Sequence, residues 1–357
     1  MPWHPAAIFL GLLFALPLVA AFPLATSITR VAVTASPLYL YTVGILLVMA
    51  AWIGSRDRWM GALTAWVGVS LLWTPTMAAF ESVETIIMSA VAIMVLRTVP
   101  QSYHPWFLAV LVAVGLFQVV DGVQQYLGYD VLWHGLTPIQ PVAAIFGTTG
   151  NSNYYGMLLA MVAPLAPWWA VPFFLLGIIL AHSLLGMVAV TVALLWRVRA
   201  SRVLIGSFVG IAVIGMGLIL FLKGSTPLSG FQHRLAVWDL ALHNLTWKGW
   251  LVGAGPGTWA THIPSLQIQQ GVYPHEVFLQ GHNEWLQLLY EHGLVAMGCL
   301  AGWLWGHRQV LTGPYGPSLL AMAFAMSVMF GFRLAMTGCV AVVLIGLALA
   351  HEGTEAV

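Results

Sequence analysis

The stretch from Gly281 to Gly302 carries the densest set of groups able to do chemistry: His282, Asn283, Glu284, Gln287, Glu291 and His292, followed by an apolar run of small residues. It opens like a loop and continues like a membrane helix. A charge at the centre of a bilayer costs roughly 2.5–3.5 kcal/mol on insertion scales, so a sequence that gathers such groups usually has a use for them. On a helix, Asn283, Gln287 and Glu291 fall at i, i+4 and i+8 and form one stripe. That stripe either glues helices together or holds a ligand. His282 stands at the mouth of the helix, with Gly281 before it to let the chain bend sharply. An imidazole titrates near neutrality, so His282 in that position is a hydrogen-bond acceptor or a general base.

The rest of the chain must hold these groups where lipid meets water. Of 357 residues, 60% are hydrophobic and only 6% are charged, with a mean hydropathy of +0.91. A soluble domain carries about 25% charged residues, so this composition predicts a polytopic membrane protein. The net charge of +1 says nothing about nucleic acid, and with no basic tract no nucleic-acid partner is expected. The Trp count of 17 suits interfacial aromatic belts. Cys299 and Cys339 both lie in apolar runs and read as small buried residues. No Lys or Arg precedes the first apolar run and no A-x-A site follows it, which predicts a retained first helix.

A span needs about 20 mostly apolar residues. Twelve candidates emerge, at about 6–25, 36–54, 59–74, 80–97, 105–122, 152–167, 169–183, 184–197, 203–222, 282–305, 318–331 and 333–350. The 169–197 region reads as one long helix or two short ones, and this choice sets the parity of everything before it. With twelve spans, Arg56, Arg58, Arg97, Arg197, Arg199, Arg202 and Arg308 share one face with both termini. Basic residues concentrate on the cytoplasmic side, so that face is the cytoplasm.

The opposite face keeps Arg30, Lys223, Arg234, Lys248 and Arg333 against this bias. It also holds two long loops, 123–151 and 223–281, with His134, His233, His243, His262 and His275. Phe231–Leu245 has helical spacing that puts Arg234, Trp238, Ala241 and Leu245 on one face, as in a surface amphipathic helix. Gly253-Ala254-Gly255-Pro256-Gly257 forces a compact turn. It lacks the G-x-x-x-x-G-K-[ST] pattern of a phosphate loop, so its glycines let backbone approach backbone or a ligand. His275 and His282 lack metal-site spacing, and no G-x-S-x-G elbow occurs.

His282-Asn283-x-x-Leu286-Gln287, followed by Glu291-x-Gly293 and Gly298, resembles the signature of the O-antigen ligase and polymerase superfamily of bacterial membrane glycosyltransferases. Gly150-Asn151-Ser152-Asn153 resembles the Gly-Asn-x-Asn start of a core helix in that family. Arg234-x-x-x-Trp238-x-x-Ala241-Leu242, then Gly253-x-Gly255-Pro256-Gly257, resembles its outer loop. The pieces occur in the expected order over about 147–302. One departs: where members carry Ser-Arg-Gly or Ser-Arg-Ala, this chain has Ser183-Leu184-Leu185-Gly186. Arg333 and Arg30 are the candidates to replace that arginine.

The resemblance implies an all-α, GT-C-like fold: one membrane domain of about 12 transmembrane helices, with an extracytoplasmic loop carrying short amphipathic helices. It implies inverting, metal-independent transfer of a glycan from a polyprenyl (undecaprenyl) diphosphate donor to an acceptor hydroxyl, at the outer face of the bacterial plasma membrane. The acceptor is a glycan or a lipid A core, and no cofactor is expected. His282 would be the base or the acceptor-orienting residue. Arg234 would be the main diphosphate ligand, because its fork matches phosphate oxygens, with Arg333 and Arg30 as helpers. Asn283, Gln287 and Glu291 would position His282 or the sugar, His275 would add a substrate contact, and Tyr290 would belong to the core. A polymerase of the same superfamily uses the same chemistry on another acceptor. A transporter of the lipid-linked glycan is the alternative from a different class. It is expected to show inverted repeats and helices broken at the bilayer midplane.

Overall fold

The computed structural model describes residues 47–74, 77–128, 145–199, 201–223, 226–329 and 335–355. The candidate span 6–25, most of 36–54, and Arg30, His134 and Arg333 lie outside the described residues. Among the described residues the chain is all-helical, without a strand. The expected apolar segments recur as helices at Arg58–Ser70, Met77–Leu96, His104–Tyr126, Ser152–Val162, Val171–Leu180, Leu184–Arg197, Arg202–Lys223, Glu284–Gly306, Gly316–Met326 and Ala335–Glu355. Polar side chains start several of them. Asp57, Asn151, Ser183 and Asn283 each accept a backbone N–H of the first turn, which satisfies donors that a helix start leaves open.

Two stretches among the described residues are long and apolar enough to cross a membrane: Gln101–Tyr126 and Val203–Phe221, with mean hydropathy 2.1 and 2.6. The second keeps Val203, Ile214 and Phe221 at 79%, 73% and 84% exposure. Apolar surface of this extent is covered by lipid or by a partner in a stable protein.

The 169–197 region resolves into two short helices. The chain turns at Ala181–Ser183, where His182 adopts φ 51°. Ser183 Oγ donates to Asn153 Oδ1 at 3.4 Å, while Arg197 donates to the Ala166 carbonyl at 2.8 Å. Leu184–Arg197 therefore runs parallel to Ser152–Val162, and Val171–Leu180 is the return stroke between them. Gly156 and Gly186 let the two parallel helices touch backbone to backbone, because a Cβ on either would collide with the other helix. Ten residues of helix span only about 15 Å, half of a bilayer core.

The basic residues assigned to one face do gather at one end of the bundle. Asp57 Oδ2 accepts from Trp303 Nε1 at 3.1 Å and pairs with His307 Nε2 at 2.8 Å and Arg97 at 3.7 Å. His307 Nδ1 meets Glu352 at 2.7 Å. Arg197 and Arg199 line a cavity that His351 also lines. The large hydrophobic core runs through the bundle. A second, separate cluster lies beyond its other end, built around Val237, Ala241, Trp259, Ile263, Phe278 and Tyr290.

Candidate functional site

That second cluster is the core of a cap. The 223–281 loop contains three helices, Thr226–His243, Trp247–Val252 and Thr258–Gln270. The face anticipated from spacing is the one that packs: Val237 and Ala241 are in the cluster and Trp238 and Leu245 lie against it. Trp238 Nε1 donates to the Gly281 carbonyl at 2.6 Å. Gln267, fully buried, clamps the returning loop. Its amide donates to the Val272 and Glu276 carbonyls and its oxygen accepts the Phe278 N–H at 2.9 Å. Nothing in the spacing of Gln267 marked this role.

The glycine turn fastens the cap to the bundle. Gly281–Gly302 was expected to continue as one helix, but the Glu284–Gly306 helix breaks at Gly293, which has φ 70° and ψ −172°. Such a break orphans carbonyls that must find other donors. The Tyr290 carbonyl accepts the Ala254 N–H at 2.8 Å and the Glu291 carbonyl the Gly255 N–H at 3.0 Å. The His292 carbonyl accepts Trp66 Nε1 at 2.9 Å. Gly253, Gly255 and Gly257 all have positive φ. A Cβ at Gly253 would strike the Glu291 carbonyl, and one at Gly257 the Ala78 backbone at 2.5 Å. Of the two uses open to these glycines, the structure has backbone against backbone.

The stripe of Asn283, Gln287 and Glu291 holds the site rather than facing out of it. Asn283 caps the helix through the Leu286 N–H at 3.0 Å. Gln287 accepts the Gly281 N–H at 2.8 Å and donates to Glu291 at 2.9 Å. Glu291, with no exposed surface, also accepts from Ser82 at 3.0 Å. Of the two roles offered for this stripe, positioning His282 fits the burial; contact with a sugar does not, for Gln287 and Glu291. Tyr290 belongs to the cap core, as expected, edge-on to Trp259 at 5.4 Å.

The helix begins at Glu284, so His282 lies in the loop before it. The sharp bend resides in His282 itself, at φ 49°, and Gly281 is absent from the positive-φ positions. The left-handed region is uncommon for a side-chain-bearing residue, though His visits it more than most. A backbone held there by its surroundings is a recurrent feature of functional sites. The imidazole meets the Phe278 ring edge-on at 5.4 Å. Burial, and then the positive charge of Arg234, push its pKa down to about 3. His282 is therefore neutral at physiological pH.

The same interaction couples Arg234 to His282 electrostatically, although the two are far apart in the chain. Arg234 donates to the Val328 carbonyl at 3.0 Å. Its guanidinium pKa is lowered by burial, against the influence of the Tyr154 hydroxyl and the Glu276 carboxylate; an arginine stays cationic regardless. Tyr154 directly follows the Gly-Asn-Ser-Asn motif, and that adjacency was the one signal for it. Two buried glutamines fix the approach to the motif. Gln125 accepts the Phe146 and Gly147 N–H groups, and Gln118 accepts that of Thr148. Three further segments thus converge on the loop before Glu284: the start of Ser152–Val162, the middle of Thr226–His243 and the end of Gly316–Met326. Glu276 also pairs with His233 at 2.9 Å. His275 is exposed on the loop one residue before Glu276.

No protein-family model matches the chain, and no curated protein matches it in sequence.

Proposed function

We propose that the chain is a multi-pass glycosyltransferase of the bacterial plasma membrane. In this reading it has about twelve spans and its cap and site lie at the outer face. It moves a glycan from a polyprenyl diphosphate to an acceptor hydroxyl, in the manner of an O-antigen ligase. The observation that carries this reading is that the Trp238–Gly281 hydrogen bond at 2.6 Å docks the helix of Arg234 on the loop of His282, whose buried imidazole feels the Arg234 charge.

The acceptor oxygen attacks the anomeric carbon and forms the new C–O bond. The bond from that carbon to the diphosphate breaks, and the diphosphate leaves with the electron pair, inverting the centre. Arg234 offers two parallel N–H donors to the oxygens where that charge collects. The hydroxyl proton passes to His282, which is neutral and so able to accept it. A pKa near 3 makes a weak base, yet part of that depression comes from Arg234. A diphosphate seated on the guanidinium would cancel that part, so donor binding would strengthen the base as the reaction needs it. Asn283, Gln287 and Glu291 keep the loop of His282 in register. A polymerase would use the same groups with a different acceptor.

A lipid-linked glycan transporter is a second reading, favoured by the broken Glu284–Gly306 helix. Against it, the carbonyls freed at the break are occupied by the cap and Trp66, where a transporter would offer them to an ion or substrate. The test combines purified protein, lipid-linked donor and a glycan or lipid A core acceptor, with chelator present. The expected result is a new glycosidic bond of inverted configuration. Donor crossing vesicles without transfer would replace this reading with transport, and neither outcome would refute both.

A further inference from the structure

At the end of the bundle opposite the cap lies a cavity of about 630 Å³. Arg197, Arg199, His104, His351, Gln101 and Tyr315 line it. Among the described residues no carboxylate lines it; Glu352, next to His351 in the chain, is turned to His307 at 2.7 Å. The cavity is thus cationic, in a chain with only 12 Lys and Arg in all.

The two arginines are held ready rather than paired with acids. The Arg197 guanidinium lies over Trp168 at 3.9 Å and donates to the Ala166 carbonyl at 2.8 Å. The Arg199 guanidinium lies over Trp196 at 4.8 Å and donates to the Trp196 carbonyl at 3.1 Å. Each contact employs one face or one nitrogen of a group with five N–H donors. The helix His104–Tyr126 opens on this cavity, adding the positive end of a long helix dipole. Polar partners complete the wall: Tyr315 pairs with His104 Nδ1 at 2.9 Å and Gln101 with His351 Nδ1 at 3.3 Å. Trp168 and Trp169 stand 47% and 68% exposed beside Arg197, as aromatic side chains do where a bilayer ends.

We propose that this cavity binds a phosphate group, supplied either by the headgroup of an anionic phospholipid of the adjoining leaflet or by a soluble phosphate monoester. Paired arginine forks suit tetrahedral phosphate oxygens, and basic pockets between membrane helices bind anionic headgroups. The volume admits a headgroup, and the neighbouring tryptophans mark a path to it along the boundary. The site is independent of glycan transfer, which is assigned to the other end.

The experiment uses the full chain reconstituted in phosphatidylcholine vesicles with a minor fraction of spin-labelled phosphatidylglycerol or spin-labelled phosphatidylcholine. The expected result is preferential immobilisation of phosphatidylglycerol, weakened about fivefold for each arginine lost, on the scale of one basic residue at an anionic surface. Arg197→Gln also removes the bond to Ala166 and could impair folding, so Arg199→Glu, at an exposed position, carries the decision. Arg308→Gln, exposed and outside the cavity, should keep the preference. Inorganic phosphate that displaces the labelled lipid assigns the soluble class; phosphate that leaves it bound assigns the headgroup. Equal retention of both lipids without phosphate binding, an unchanged preference in Arg199→Glu, or an equal loss in Arg308→Gln would each overturn the proposal.

Discussion

His307 and His282 sit at opposite ends of the same helical stretch, and their surroundings drive them in opposite directions. At the end rich in arginines, His307 is clasped between two carboxylates, Asp57 at 2.8 Å and Glu352 at 2.7 Å. The hydrogen bond to Asp57 is the largest influence and raises its pKa; burial opposes, and Glu352 adds to the rise. Burial alone would raise the Asp57 carboxyl. The His307 hydrogen bond, the Met60 N–H and the charges of His307 and Arg97 outweigh it and hold the carboxyl below the ordinary value. Beneath the cap, burial and the charge of Arg234 act together to keep His282 uncharged. One end uses its histidine as a hydrogen-bonded staple that joins three helix termini. The other keeps an imidazole neutral under the influence of a cation, the arrangement on which the proposed chemistry rests. The same residue type thus separates scaffold from candidate site through the sign of its neighbours.

The sharpest way to break this contrast is at His282. His282→Asn retains a residue suited to the left-handed backbone but removes the imidazole. Glycan transfer should fall by about 10²–10⁴, the usual contribution of a positioned base, with the melting temperature little changed. Full transfer by this variant would reduce His282 to a bend in the chain.

At the other end, His307→Gln removes the imidazole that joins Asp57 to Glu352 while Arg97 stays at 3.7 Å from Asp57; losing two charge-assisted hydrogen bonds should cost about 3 kcal/mol while transfer per folded molecule stays near wild type. The pH dependence gives the same contrast with opposite signs. The pKa of His307 is raised in the fold, so its stabilisation is complete below the unfolded value near 6.5 and is lost as pH rises through the raised one. That of His282 is depressed, so its neutral form favours the fold above about 6.5, and stability falls as pH drops toward 3. Melting curves should lose their alkaline limb in His307→Gln and part of their acid limb in His282→Asn. Unchanged limbs in both variants would show that neither environment is as described.

Gly293→Ala tests the joint between the two ends. Its φ of 70° disfavours any side chain, and a Cβ there would collide with the Leu251 carbonyl. A loss of about 2 kcal/mol is expected, with the cap becoming accessible to protease before the bundle does. Simultaneous cleavage of both would contradict a cap that docks as a unit. The smallest effect is expected from Arg234→Lys. It keeps the charge and loses the fork, so transfer should drop about tenfold with normal folding. Wild-type turnover would leave Arg234 as an anchor for the Val328 carbonyl.

Much of the helical order was legible because it depends on local rules. Apolar runs, Asp57, Asn151, Ser183 and Asn283 at helix starts, and the Arg234/Trp238/Ala241/Leu245 face are set by periodicity and backbone hydrogen bonding within a few residues. Hydropathy left the division of 169–197 open and the distribution of arginines favoured two helices; the contacts of Ser183 with Asn153 and of Arg197 with Ala166 define how the two run. The break at Gly293 was not legible. A glycine after Glu291-His292 signals nothing until three donors from distant segments arrive to take the carbonyls of Tyr290, Glu291 and His292. Nor was the bend at His282, which follows Gly281, a residue held at its carbonyl by Trp238 and at its N–H by Gln287.

What the sequence determined by itself was a hydrophobic, helical chain with its polar chemistry gathered before and along Glu284–Gly306, and a histidine there worth testing. Only the tertiary structure decided that the charge of Arg234 reaches both that histidine and Tyr154, that Gln287 and Glu291 face inward, and that the imidazole is neutral. These are long-range electrostatic and packing outcomes, set by which groups exclude water around a side chain, and no local spacing encodes them.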